Sequence, residues 1–184
     1  GGYVYDFEGG RGEIKQYNMI VNNSLEQERV TGFDQNGIVM GGCEYGIISG
    51  NIVKGNRAST SQGISIFNNK NTTVYGNNIK DFRSGIVARG SSSSLISTNT
   101  ITDCGGTANH ECAIYIGAAE NTQNITVRGN VITFSGTHPA VQNCIYGTLS
   151  SSYSGNLGWV IDGNTLVNYP NRGVYIQGLS TTKA

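Results

Sequence analysis

A short phrase built around asparagine recurs through the chain, and its recurrence constrains the fold more than any other feature. Five copies read GIISGNIVKG, TTVYGNNIKD, SLISTNTITD, ITVRGNVITF and WVIDGNTLVN, sharing Asn51, Asn77, Asn99, Asn130 and Asn164. A weaker earlier copy, KQYNMIVN, centres on Asn18. A second phrase, small-apolar-x-apolar, keeps time with the first. Its copies are Gly37-Ile38-Val39-Met40, Gly63-Ile64-Ser65-Ile66, Gly85-Ile86-Val87-Ala88, Ala113-Ile114-Tyr115-Ile116, Cys144-Ile145-Tyr146-Gly147 and Gly173-Val174-Tyr175-Ile176. From the apolar residue of this phrase to the shared Asn is 13 residues in three copies (Ile38 to Asn51, Ile64 to Asn77, Ile86 to Asn99), then 16 and 19 (Ile114 to Asn130, Ile145 to Asn164). The added length falls in Gly/Ser/Asn/Thr-rich stretches at 117–123 and 147–158, and loop insertions leave a strand scaffold intact.

Each unit reads as three short strands separated by turns. With 21 Asn and 27 Gly against 8 Ala and 6 Leu, the chain favours strand and turn over helix. A unit of about 25 residues cannot bury an apolar face alone, but stacking equivalent strands about 4.8 Å apart builds parallel sheets around a continuous core. Ile38, Ile64, Ile86, Ile114, Ile145 and Val174 are expected to form one inward column, and Val53, Ile79, Ile101, Ile132 and Leu166 another. The repeated Asn is expected in a tight left-handed bend, its amide bonding to the copies above and below, with the preceding Gly permitting the bend. A β-sandwich or propeller would instead show hairpin signals at regular spacing. The few Asn-Gly and Gly-Asn pairs here sit at repeat-equivalent positions.

This pattern resembles the right-handed parallel β-helix proteins of the pectate-lyase-like superfamily. That group includes pectate lyases, polygalacturonases, alginate and chondroitin lyases and bacteriophage tailspikes. The resemblance spans roughly residues 2–177 and is closest to a tailspike or capsule-depolymerase segment. It implies an all-β, right-handed parallel β-helix of about six to seven coils with three short strands per coil, in a single domain over 1–184. The chain begins inside what reads as one coil and stops after the first strand of another, which predicts a fragment of a longer chain or ends covered by partners or a trimer.

In proteins of this resemblance, saccharides lie along the first sheet and its bordering loops. Strand alternation gives that sheet an outward column of Val39, Ser65, Val87, Tyr115, Tyr146 and Tyr175. Its three tyrosines are expected to form an exposed ladder, where ring faces stack on sugar C–H faces and phenols bond sugar oxygens; a pleated strand surface also suits Tyr without any ligand. The loops leading into this sheet hold Asp81, Arg83, Asp103, His110, Glu111 and His138. His110 and His138 occupy equivalent loops of neighbouring coils, and Glu111 shares a column with Arg83. A histidine or tyrosine near an arginine suits β-elimination of uronates, with Arg83 or Arg89 neutralising the carboxylate. Asp103 paired with Glu111 suits hydrolysis instead. Loop charges are also commonly just solvated faces, and Asp81 and Asp103 fall where an Asp ends a strand by turn formation.

Other partners are argued against by composition. Net charge is zero, with 12 Lys+Arg against 12 Asp+Glu and no basic block, so nucleic acid is not an expected partner. No apolar run approaches the ~18 residues of a membrane span. The dispersed acids make neither an EF-hand nor a Gly-Gly-x-Gly-x-Asp calcium repeat, so neither a metal nor a cofactor is expected. Cys43, Cys104, Cys112 and Cys144 follow no CxxC zinc spacing. Cys104 and Cys112 bracket a loop and either bridge or stay free, while Cys144 aligns with Gly63 and Gly85 as a small residue at a small site. The sequons at Asn22, Asn71 and Asn124 are expected by chance in so Asn/Thr-rich a chain.

The resemblance therefore implies a β-helix that recognises, and in its enzymatic members cleaves, a polysaccharide or oligosaccharide, extracellularly or on a virion surface, with a homotrimer as the tailspike arrangement. Two alternatives stand beside it: a secreted monomeric polysaccharide lyase or glycoside hydrolase, and a non-catalytic structural or adhesive β-helix.

Overall fold

The structure, a computed structural model, describes residues 3–8, 15–26, 36–57, 61–117, 122–136, 143–148, 157–169 and 171–178. These residues form a parallel β-helix, and every pairing between the described strands is parallel. The first sheet stacks seven strands in chain order: Tyr3–Glu8, Asn36–Gly41, Gln62–Phe67, Ser84–Arg89, Ile114–Gly117, Asn143–Thr148 and Arg172–Gln177. Two further sheets of six three-residue strands each complete the coils, running from Met19–Val21 to Val160–Asp162 and from Ser24–Glu26 to Thr165–Val167. Six coils thus contribute a strand to all three sheets.

The expected inward columns are in register. Ile38 pairs with Ile64, Ile64 with Ile86, Ile86 with Ile114, Ile114 with Ile145 and Ile145 with Val174. Val53, Ile79, Ile101, Ile132 and Leu166 line the third sheet in the same way. A third column, Ile20, Ile48, Val74, Ile96, Val127 and Ile161, closes the core from the second sheet. Val174, in the last described strand of the first sheet, is half exposed because no described strand stacks beyond it.

Asparagine forms a ladder inside the corner between the second and third sheets. From Asn23 through Asn51, Asn77, Asn99 and Asn130, the backbone N–H and Nδ2 both donate to Oδ1 of the next coil's Asn, at 2.9–3.0 Å and ending on Asn164. Each Nδ2 from Asn51 onward also donates to a second-sheet carbonyl one coil back, from Ile20, Ile48, Val74, Ile96 and Val127 in turn. Two expectations are corrected here. The first rung is Asn23 and not Asn18, which sits just before the second-sheet strand and donates from Nδ2 to Cys43 Sγ. The left-handed residue is the one before each rung: Asn22, Gly50, Gly76, Thr98, Gly129 and Gly163 have φ between 52° and 65°. The turn at that residue is what points the following amide inward, so the bend and the ladder are the work of neighbouring residues.

Thr98 is the one β-branched residue in that column, and a β-branched side chain in the left-handed region costs about 1–2 kcal/mol. Thr98→Gly is expected to stabilise the chain by about 1 kcal/mol, after allowing for the greater freedom of Gly in the unfolded chain. Denaturant unfolding checks it; a loss of stability would mean that the Thr98 side chain contributes more through packing than its backbone costs.

All four cysteines are free and buried, so the alternative of a Cys104–Cys112 bridge is not realised. Cys144 lies in the core at the small-residue position, beside Ala113 of the preceding coil. Burial pushes the Cys104 and Cys144 thiols up to about 12 and raises Cys112 as well. Since the thiolate is the nucleophile, iodoacetamide at pH 8 is expected to leave these three unlabelled in the folded chain and to label them after unfolding. Mass spectrometry finding rapid labelling in the native state would contradict this.

Candidate glycan-binding face

The loop 103–112 is anchored to the preceding coils. Arg57 Nη2 donates to the Gly105 carbonyl at 3.2 Å, and Gly105 N–H donates to the Phe82 carbonyl at 2.9 Å. The loop then folds back on itself, with Gly106 N–H donating to the Glu111 carbonyl at 2.9 Å. Arg83 and Glu111 share a column as expected and form an ion pair, Nη1 to Oε2 at 2.9 Å. Glu111 Oε2 also accepts the Ala108 N–H at 3.1 Å. A Cβ on Gly106 would lie 2.8 Å from Arg83 Nη1, so only Gly leaves room for this pair.

Asp103 turns the other way. It is buried, has φ 53°, and accepts Ser135 N–H at 2.7 Å and Ser135 Oγ–H at 2.6 Å in the next coil. Asp81, one coil back, has φ 61° at the equivalent corner. The two carboxylates proposed for hydrolysis are therefore committed to opposite neighbours: Glu111 to the preceding coil, Asp103 to the following one.

His110 is exposed, and its loop is fixed by Ser84 Oγ–H, which donates to the His110 carbonyl at 3.1 Å. Its ring sits 6.2 Å from that of Tyr115, tilted by 54°. The exposed Arg89 places its guanidinium carbon 5.3 Å from the centre of the same Tyr115 ring. His110 and Arg89 thus each approach Tyr115, although the three come from one loop and two adjacent strands. His138 lies outside the described residues.

The tyrosine column is in register, Tyr115 pairing with Tyr146 and Tyr146 with Tyr175. Ring centres are 5.7 and 5.6 Å apart, with planes 10° and 25° from parallel. An exposed ladder, however, is not what forms. Tyr115 and Tyr146 retain only 4% and 5% exposure, in a cluster with Val87 and Cys112 outside the main core. The reason is geometric: rings on strands about 4.8 Å apart cover one another's faces. Burial raises the Tyr115 phenol above its ordinary pKa, opposed by the Arg89 guanidinium, so the phenol stays protonated at neutral pH.

Two residues escaped the sequence reading. Arg172 places its guanidinium 4.3 Å from the Tyr175 ring centre, and Gln177 Oε1 accepts the Tyr146 hydroxyl at 2.6 Å. Gln177 was findable, since it lies two residues beyond Tyr175 on the same strand; Arg172 precedes its Tyr by three, and no alternation rule links them. Among the described residues no group of three or more His, Cys, Asp or Glu side chains could hold a metal ion. No helix among them is long and apolar enough to cross a membrane.

A family model described as a right-handed beta helix region matches residues 13–183. The chain belongs to this family. No curated protein matches it. In this right-handed β-helix, the outer face of the first sheet carries a closed tyrosine stack with an arginine over its first and last rings. An exposed histidine stands beside the first.

Proposed function

We propose that this β-helix binds an acidic polysaccharide across the outer face of the first sheet and cleaves it by β-elimination. The observation that carries the reading is the approach of Arg89 and of His110 to the same Tyr115 ring. Hydrolysis requires one carboxylic acid and one carboxylate directed at the same bond, whereas Asp103 and Glu111 are tied to different coils. Elimination requires three other things: a base, a cation and an acid. The exposed His110 takes the C5 proton, Arg89 faces the uronate carboxylate as charge develops on it, and water protonates the departing C4 oxygen. The C5–H and C4–O bonds break and a C4=C5 double bond forms. Arg172, over the last ring of the stack, adds a second guanidinium for a negatively charged chain. Family membership supports polysaccharide action in general. The tailspike or capsule-depolymerase character, a trimeric assembly and a place on a virion or cell exterior extend the resemblance of the repeats.

The test is incubation with acidic and neutral polysaccharides, following both reducing ends and unsaturated-uronate absorbance. Acidic substrates are expected to yield both signals, and Arg89→Ala to lower turnover about a hundredfold with the fold retained. Reducing ends without new absorbance would overturn elimination. Neither binding nor cleavage of any member would leave the chain as a structural or adhesive spacer. Sedimentation of the active protein as a monomer would favour a secreted lyase over a tailspike-like assembly.

A further inference from the structure

A second aromatic feature lies away from the first sheet, at the turn leading into the second. Tyr17 and Tyr45 occupy equivalent positions in the first two coils, both in the left-handed region at φ 58° and 59°. Their backbones are locked there, Tyr17 N–H donating to the Glu44 carbonyl at 3.0 Å and Tyr45 N–H to the Lys70 carbonyl at 2.9 Å. Later coils fill the same column with Asn71, Ser93, Asn124 and Gly158, at φ 50° to 57°. Asn and Gly are residues that tolerate this conformation, whereas a bulky aromatic there is an outlier. The turn itself therefore does not require tyrosine, and strained side chains that the fold does not need point to a function.

The two rings are stacked, with centres 5.3 Å apart and planes 14° from parallel. Unlike the first-sheet stack, they are open to water, Tyr17 being 72% and Tyr45 43% exposed. Charged side chains stand beside them among the described residues. Glu44 and Lys70, the residues whose carbonyls lock the pair, lie 3.9 Å apart as an ion pair and so cancel each other's charge. Asn71 continues the column.

We propose that the Tyr17–Tyr45 stack is a platform for a neutral saccharide. A pyranose offers an apolar C–H face to an aromatic surface and a rim of hydroxyls to neighbouring donors and acceptors, and among the described side chains the paired charges of Glu44 and Lys70 do not select an anion. This site is separate from the Arg89 face in residues and in the charge of its ligand.

Proton–carbon NMR of the full chain, with tyrosines labelled, tests it, using cellohexaose, maltohexaose and chitohexaose as probes. At least one probe is expected to shift the Tyr17 and Tyr45 ring signals. Tyr45→Asn, which installs the residue found at position 71, is expected to keep or raise thermal stability while weakening that binding about tenfold. Arg89→Ala is expected to leave these shifts unchanged. The proposal is overturned if no probe moves the two rings, or if Tyr45→Asn binds as well as the parent. It is also overturned if the ring signals respond to protein concentration instead of sugar, which with self-association in sedimentation would assign the stack to a second copy of the chain.

Discussion

Asn99→Ala is expected to destabilise the chain by about 4 kcal/mol, the largest effect of any single substitution predicted from this fold. Asn99 is fully buried midway along the ladder. Its Oδ1 accepts from Asn77 N–H and Nδ2, and its Nδ2 donates to the Val74 carbonyl and to Asn130 Oδ1, at 2.9 to 3.0 Å. Removing the amide orphans groups on both adjacent coils, each costing about 1–3 kcal/mol when buried without a partner. Relaxation recovers part of that sum, since contacts in a network are not additive. In a solenoid each coil contacts only its neighbours, so a weakened middle coil uncouples the two halves.

Asn99→Asp isolates the hydrogen bonds from the cavity, because the volume is preserved. It exchanges a donor for a carboxyl facing two oxygen acceptors. Burial and these acceptors raise the folded-state pKa of the new carboxyl above its unfolded value near 3.9. The folded state then holds more protons than the unfolded state above that pH. Stability of this variant should consequently fall as pH rises from about 4, in contrast to the parent. Urea unfolding at a series of pH values measures both effects. A loss under about 1 kcal/mol for Asn99→Ala would mean that the ladder is not what couples the coils.

The second large effect is expected at Gly85. A Cβ there would lie 2.5 Å from the Ala113 carbonyl oxygen and 2.8 Å from Ile101 Cγ2. That oxygen cannot swing aside cheaply, since it accepts the Ile86 N–H at 2.8 Å within the first sheet. Gly85→Val should cost about 3 kcal/mol by forcing adjacent coils apart. Cys144→Ala is the matched control, removing one sulfur from the equivalent column, and is expected to cost much less. Ala113 and Cys144 carry side chains into the core at this same column, so the limit at Gly85 comes from its own neighbours and not from the fold type. Equal midpoints for Gly85→Val and the parent in denaturant would contradict the close approach.

The repeats made the coil, its three sheets and the inward columns readable from the chain, because one spacing placed chemically similar residues in every unit. The same spacing put Glu111 beside Arg83 and the three tyrosines in one column, and both registers hold. Two roles expected of one residue are divided between neighbours. Asn tolerates left-handed geometry, yet the Asn22, Gly or Thr before each rung takes that geometry and the rung Asn turns inward. The earliest rung was missed because Asn22 stands where most copies have Gly, which disguised the phrase around Asn23.

What each polar side chain does was not readable in this way. Sequence placed Asp103, Glu111, His110 and Arg89 near the first sheet, but could not tell that the two acids are spent on Ser135 and Arg83 while the histidine and Arg89 remain exposed. Nor could it tell that one tyrosine stack is closed and another, at Tyr17 and Tyr45, is open. The division has a physical cause. Strand spacing and side-chain alternation are local and periodic, so the sequence by itself determined the coil, its register and its core. Exposure and pairing depend on residues brought together from different coils, and only the tertiary structure decided which groups pair and which face water.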